Sequence, residues 1–74
     1  MTRHIKTTMP MIDPEGKMTM MGRLRVQGAM QQIRRLGYAE LDGHRIGPNT
    51  MLSMRGERPG NERRQSVLDW SKEA

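Results

Sequence analysis

Cysteine and phenylalanine are absent from this sequence, and tryptophan and tyrosine occur once each. Without cysteine, neither a disulfide nor a thiolate metal site can form, which suits a reducing compartment and makes a cytoplasmic protein the expectation. Without an aromatic cluster, the core must be built from nine methionines and a few aliphatics, flexible side chains that fill gaps but specify packing weakly. No apolar run approaches the roughly 20 residues of a membrane span. The opening MTRHIKTTMP also lacks the apolar centre of a signal peptide. No membrane partner is expected. A chain of 74 residues is one domain of marginal stability with no room for a large ligand cavity, and a monomer is expected.

Catalytic patterns are lacking too. His4 and His44 lie far apart, no spaced carboxylate cluster accompanies them, and Ser53, Ser66 and Ser71 fall in no nucleophile context. The glycines form no phosphate-cradling fingerprint. The expectation is a protein that is not an enzyme and takes no metal or cofactor.

The most informative absence is of acids. Between Glu15 and Glu40 there is no Asp or Glu, whereas Lys17, Arg23, Arg25, Arg34 and Arg35 all fall there. The whole chain carries a formal charge of +5, which favours polyanions or acidic protein surfaces.

What is present is organised around residues 22–54. Leu24, Val26, Ala29, Met30, Ile33 and Leu36 recur at the threes and fours of an amphipathic helix over 22–36. Gly37 supplies its left-handed cap, and Arg34 and Arg35 suit the dipole of its last turn. Gly28 inside this helix costs about 1 kcal/mol against Ala, or marks a close contact. Asp42-Gly43 fits a two-residue hairpin turn between 38–41 and 44–46, and Gly47-Pro48-Asn49 a turn before a strand over 50–54.

Upstream, Ile5, Thr7, Met9 and Met11, then Met18 and Met20, alternate on either side of Asp13-Pro14-Glu15-Gly16, which predicts a first hairpin with a type I turn. Pro10 marks its strand as an edge or as bulged. Residues 55–64 read as a solvated loop. Asn61 is a candidate cap for a short helix over 62–72 bearing Val67, Leu68 and Trp70, too short to stand alone. The expected fold is α+β, with one central basic helix flanked by β-hairpins in a small antiparallel sheet and a short closing helix. The expected division is a domain over 1–54, a linker over 55–61, and a segment over 62–74 that docks or orders on binding.

On the helix, Arg23, Gln27, Gln31 and Arg34 form one stripe, and Arg25, Gln32 and Arg35 the next. Arg offers a fixed fork of donors and Gln both donor and acceptor, which suits phosphates and base edges. The alternative is a solvated helix face, although such faces usually mix charges to gain spaced ion pairs. His44 and Arg45 would project from the hairpin tip beside the helix end. Tyr38 and Trp70 are either stacking platforms or core anchors.

From Ala29 the pattern Ala29, Ile33, Gly37, Asp42-Gly43, Ile46, Pro48, Thr50 resembles the small RNA-binding module named after the fourth protein of the small ribosomal subunit, in which a basic helix ends in Gly and a short β-unit follows. The resemblance implies RNA contacts at Arg23, Arg25, Arg34 and Arg35 and near His44 and Arg45. The chain departs from that pattern by one extra residue between Ile33 and Gly37, and by a hairpin signature where that family has a preceding helix. In size and charge it is also similar to small bacteriophage proteins that modulate host transcription by binding RNA polymerase. The expected function is regulatory binding to nucleic acid, RNA favoured over DNA, or to RNA polymerase. The alternatives are an inhibitor that covers an acidic site on a host protein and a winged-helix-like DNA reader, for which a closely preceding helix is missing.

Overall fold

The computed structural model describes residues 4–74. Element order is β1 (His4–Ile12), α1 (Met20–Leu36), β2 (Ala39–Leu41), β3 (His44–Ile46), β4 (Met51–Gly56), β5 (Arg63–Ser66) and α2 (Val67–Glu73). The fold is α+β as expected, but its sheet arrangement differs from the expectation. β1, β4 and β5 form a mixed sheet in the order β1-β4-β5, and β2-β3 is a separate ribbon. β1 runs parallel to β4, and β5 antiparallel to it.

The first hairpin does not form. Its turn does: Gly16 N–H donates to Asp13 O at 2.9 Å, and the Asp13 carboxylate accepts from the Glu15 and Lys17 amides at 2.9 and 3.0 Å. After it, however, only an isolated bridge joins Ile12 to Met18. Thr19 then caps α1, its hydroxyl accepting from Gly22 N–H at 3.2 Å, so Met20 enters the helix rather than a return strand. A helix of 17 residues satisfies many more backbone groups than a three-residue strand and wins the competition for Met20 and Met21. β1 finds its partner far along the chain, with register His4↔Met51 and Ile5↔Leu52.

Pro10 sits in this edge strand with register shifts on both sides of it, as a missing ladder donor requires. The shift breaks the alternation: Ile5, Thr7 and Met11 are buried, but Met9 turns outward.

α1 ends where the sequence indicates. Gly37 adopts φ 86° and its N–H donates to Ile33 O at 2.8 Å, a left-handed cap. The inward face of α1 carries Val26, Ala29, Met30 and Ile33. Leu24 and Leu36, expected on that face, are exposed. Gly22 lies so close to β1 that a Cβ there would sit 3.1 Å from Met11 O. Asp42 and Gly43 both take positive φ, 50° and 79°, and close the β2-β3 ribbon as the Asp-Gly pair predicts.

The C-terminal region corrects three expectations. Gly56 ends β4 rather than Arg55-Gly56 breaking it, because Asn61 folds back against it and a Cβ at Gly56 would collide with the Asn61 backbone. Asn61 caps no helix: its side-chain amide donates to Asp13 O at 2.9 Å and joins this loop to the first turn. Residues 63–66 form β5 instead of a helical turn, and Ser66 caps α2 by accepting from Asp69 N–H at 3.1 Å.

Trp70 is fully buried, and its indole N–H donates to Leu52 O at 2.8 Å, fixing α2 to the middle strand. Arg63 lies over its ring, 5.0 Å from the centroid, and also reaches Glu73 at 2.9 Å. Hydrogen bonds from Arg63 and then Gln65 hold the Glu73 carboxyl below its ordinary value of 4.5. The stability this gives is present above that value and fades as pH falls through the lowered one. Among the described residues, no buried side-chain nitrogen or oxygen lacks a partner, and no helix is long and apolar enough to cross a membrane.

Candidate nucleic-acid interface

The acid-free helix decides which cations remain available. Four ion pairs occur among the described residues: Lys6–Glu62 at 3.5 Å, Arg25–Asp42 at 2.9 Å, Arg63–Glu73 at 2.9 Å and Lys72–Asp69 at 3.6 Å. Within α1, only Arg25 is engaged. Arg23, Arg34 and Arg35 enter no ion pair among the described residues, and all three are exposed. Arg23 and Arg34 are eleven positions apart, about 16 Å along the axis at 1.5 Å per residue. Gln27 and Gln31 lie between them on the same side, also exposed, and Gln32 accompanies Arg35.

Arg25 departs from its expected role. Its guanidinium donates to Asp42 at 2.9 Å and contacts the Met9 sulfur at 3.6 Å. Asp42 in turn accepts from Thr8 N–H at 3.2 Å. Three elements meet at this carboxylate: β1, α1 and the ribbon tip. Arg25 therefore acts as a brace that fixes the ribbon against the helix. The sequence gave no sign of it, since a turn Asp reads as backbone chemistry alone.

The ribbon carries the other predicted residues. His44 and Arg45 are both exposed on β3. The Arg45 guanidinium lies 4.1 Å from the centroid of the Tyr38 ring, a cation–π contact that covers one face of the tyrosine. Tyr38 is half-buried just past the Gly37 cap, so the stacked pair sits at the cationic end of α1. Trp70 belongs to the core and offers no ring to a partner.

Two features were missed. Met20, Met21 and Leu24 stand exposed at 75%, 49% and 59% over the first turns of α1, so its outer face is apolar at one end and cationic at the other. The apolar spacing gave the reverse impression for Leu24, because positions 24 and 36 fit a loose threes-and-fours count while falling outside the arc that packs. The second feature is a shallow groove between α1 and α2, lined by Gln27, Met30, Gln31, Arg34 and Ser71. Ser71 could not be connected to these glutamines without knowing how α2 docks.

Among the described residues, no three His, Asp or Glu are gathered closely enough to hold a metal ion. No known protein family, curated protein or solved structure matches the chain.

Proposed function

We propose that this chain is a non-enzymatic regulatory module that binds nucleic acid, RNA in preference to DNA, and acts at a nucleic-acid machine such as RNA polymerase. The observation that carries this reading is the set of three arginines on α1, Arg23, Arg34 and Arg35, without ion pairs and on a helix with no carboxylate. Surface guanidinium groups without local anions are placed to neutralise phosphates, and the glutamines between them can meet sugar or base edges. His44 and the Arg45–Tyr38 stack extend the same surface. The likeness to the helix-Gly-hairpin RNA-binding module supports this reading. RNA is favoured because α1 has no helix packed just before it in the chain, as major-groove reading by a helix-turn-helix or winged helix requires. The same observation weakens the DNA-reader alternative.

A second reading is favoured by the exposed Met20, Met21 and Leu24: an inhibitor that docks on an acidic protein surface through an apolar anchor with a cationic flank. Binding to a short RNA, a short duplex DNA and purified RNA polymerase over a salt series separates the two. RNA binding through α1 gives a linear fall of log affinity with log salt, at a slope of roughly −0.7 per phosphate contact on single strands. Polymerase binding with no affinity for either nucleic acid at low salt would sink the first reading and leave the second.

A further inference from the structure

The groove between α1 and α2 holds an unusual set of groups for a surface with no ligand assigned to it. Its volume is about 170 Å³. That exceeds the roughly 30 Å³ share of one water molecule, yet falls below the roughly 300 Å³ at which drug-sized ligands begin. One planar ring is the natural scale. Met30, almost fully buried, offers a polarizable thioether against a ring. Gln27, Gln31 and Arg34 stand at intervals of four and three, so their side chains share one helix face along the groove.

The polar groups are selective in kind. Arg34 supplies a fork of donors only, and the two carboxamides supply donors and acceptors. No carboxylate lines the groove. The nearby acids of α2 are both engaged, Asp69 with Lys72 at 3.6 Å and Glu73 with Arg63 at 2.9 Å. The Ser71 hydroxyl donates to Leu68 O at 2.6 Å, which leaves its oxygen able to accept.

We infer that this groove takes a single unstacked guanine from a bound RNA strand. Resting on the RNA-binding reading above, the inference names what the site recognises. Guanine presents two adjacent acceptors, N7 and O6, that match an arginine fork, and its N1–H and N2–H donors match carboxamide oxygens. Cytosine calls for a carboxylate acceptor at its amino group, and none lines the groove. Adenine would satisfy one glutamine but place its amino group toward the donors of Arg34. Arg35 and Arg23, outside the groove, then hold the flanking phosphates without regard to sequence.

The test is fluorescence anisotropy of the full chain with three labelled RNA octamers at low salt: all-uridine, uridine with one central guanosine, and uridine with one central adenosine. The guanosine octamer is expected to bind about tenfold tighter or more than all-uridine, the scale of one good bidentate base contact. Arg34→Gln and Gln31→Ala should each reduce that ratio toward one. Arg35→Gln should weaken all three octamers alike and leave the ratio standing. These positions are exposed, and an unchanged circular dichroism spectrum checks that each variant folds. Equal affinity for the three octamers, or a preference for adenosine, overturns the guanine site while leaving RNA binding intact. Failure to bind any of them, with or without capture of an acidic protein, overturns both.

Discussion

The two faces of α1 are built from the same helix and obey different rules. Inward, Val26, Ala29, Met30 and Ile33 are buried against β1, the β2-β3 ribbon and α2, and every position is constrained by a neighbour. Outward, Met20, Leu24, Gln27, Gln31 and Arg35 meet solvent. The two glycines of the helix make the contrast sharp. Gly22 faces Met11 across a gap a methyl group cannot enter without displacing backbone, whereas nothing lies within 4 Å of a Cβ placed at Gly28. The inner face records what the fold needs. The outer face, with arginines that find no local anion, records what the fold alone does not explain.

The comparison is broken most severely at its inner face. Ile33→Ala is expected to destabilise by roughly 2–5 kcal/mol, from lost burial and the cavity left behind, as a chemical denaturation midpoint would report. A variant as stable as the parent would place Ile33 outside the core.

Gly22→Ala tests the close approach to β1. Overpacking of about 1–3 kcal/mol is set against a helix-propensity gain of about 1 kcal/mol, for a net loss of up to about 2 kcal/mol. The Met11 carbonyl it would displace is held by the Thr19 amide at 2.9 Å, so it has little room to give. Gly28→Ala should act in the opposite direction, raising stability by about 1 kcal/mol, because the position is open and gains propensity alone. If both glycine variants shift thermal stability in the same direction, the distinction between the faces fails.

The smallest expected effect on stability lies at the outer face. Replacing Arg34 and Arg35 together by Gln should leave the unfolding midpoint within about 0.5 kcal/mol. The salt slope of RNA binding should become shallower by roughly one to two units if both arginines touch phosphate. A large loss of stability would instead make these arginines structural, like Arg25.

Much of the fold was legible from local chemistry. The helix over 22–36, its stop at Gly37, the Asp42-Gly43 ribbon and the turn before β4 follow from periodicity and backbone preference, which act over a few residues. β5 was not legible. Arg63, Arg64, Gln65 and Ser66 carry no apolar alternation, and they form a strand because the free edge of β4 offers backbone partners, Met51↔Ser66 through Met54↔Arg63. The pairing of β1 escaped notice for a related reason. Its turn and alternation fit a local hairpin, and only the competing claim of α1 on Met20 releases it to pair with β4.

Of the candidate site, the cationic character of α1 could be read directly, because charge and its absence are properties of composition. Which arginines stay available could not. Arg25 differs from Arg35 only in the direction it points, toward Asp42 at the tip of a ribbon that returns beside the helix.

The sequence by itself determined the elements whose causes are local: a helix from its period and caps, a ribbon from its Asp-Gly turn, and a basic surface from a stretch without acids. Tertiary structure decided the rest, including the parallel pairing of β1 with β4, the burial of Trp70 under Arg63 and the groove that brings Ser71 to Gln27, Gln31 and Arg34. Each of these joins residues far apart in the chain. Such contacts arise from how preformed elements bury their apolar faces together, a property that no short window of sequence contains.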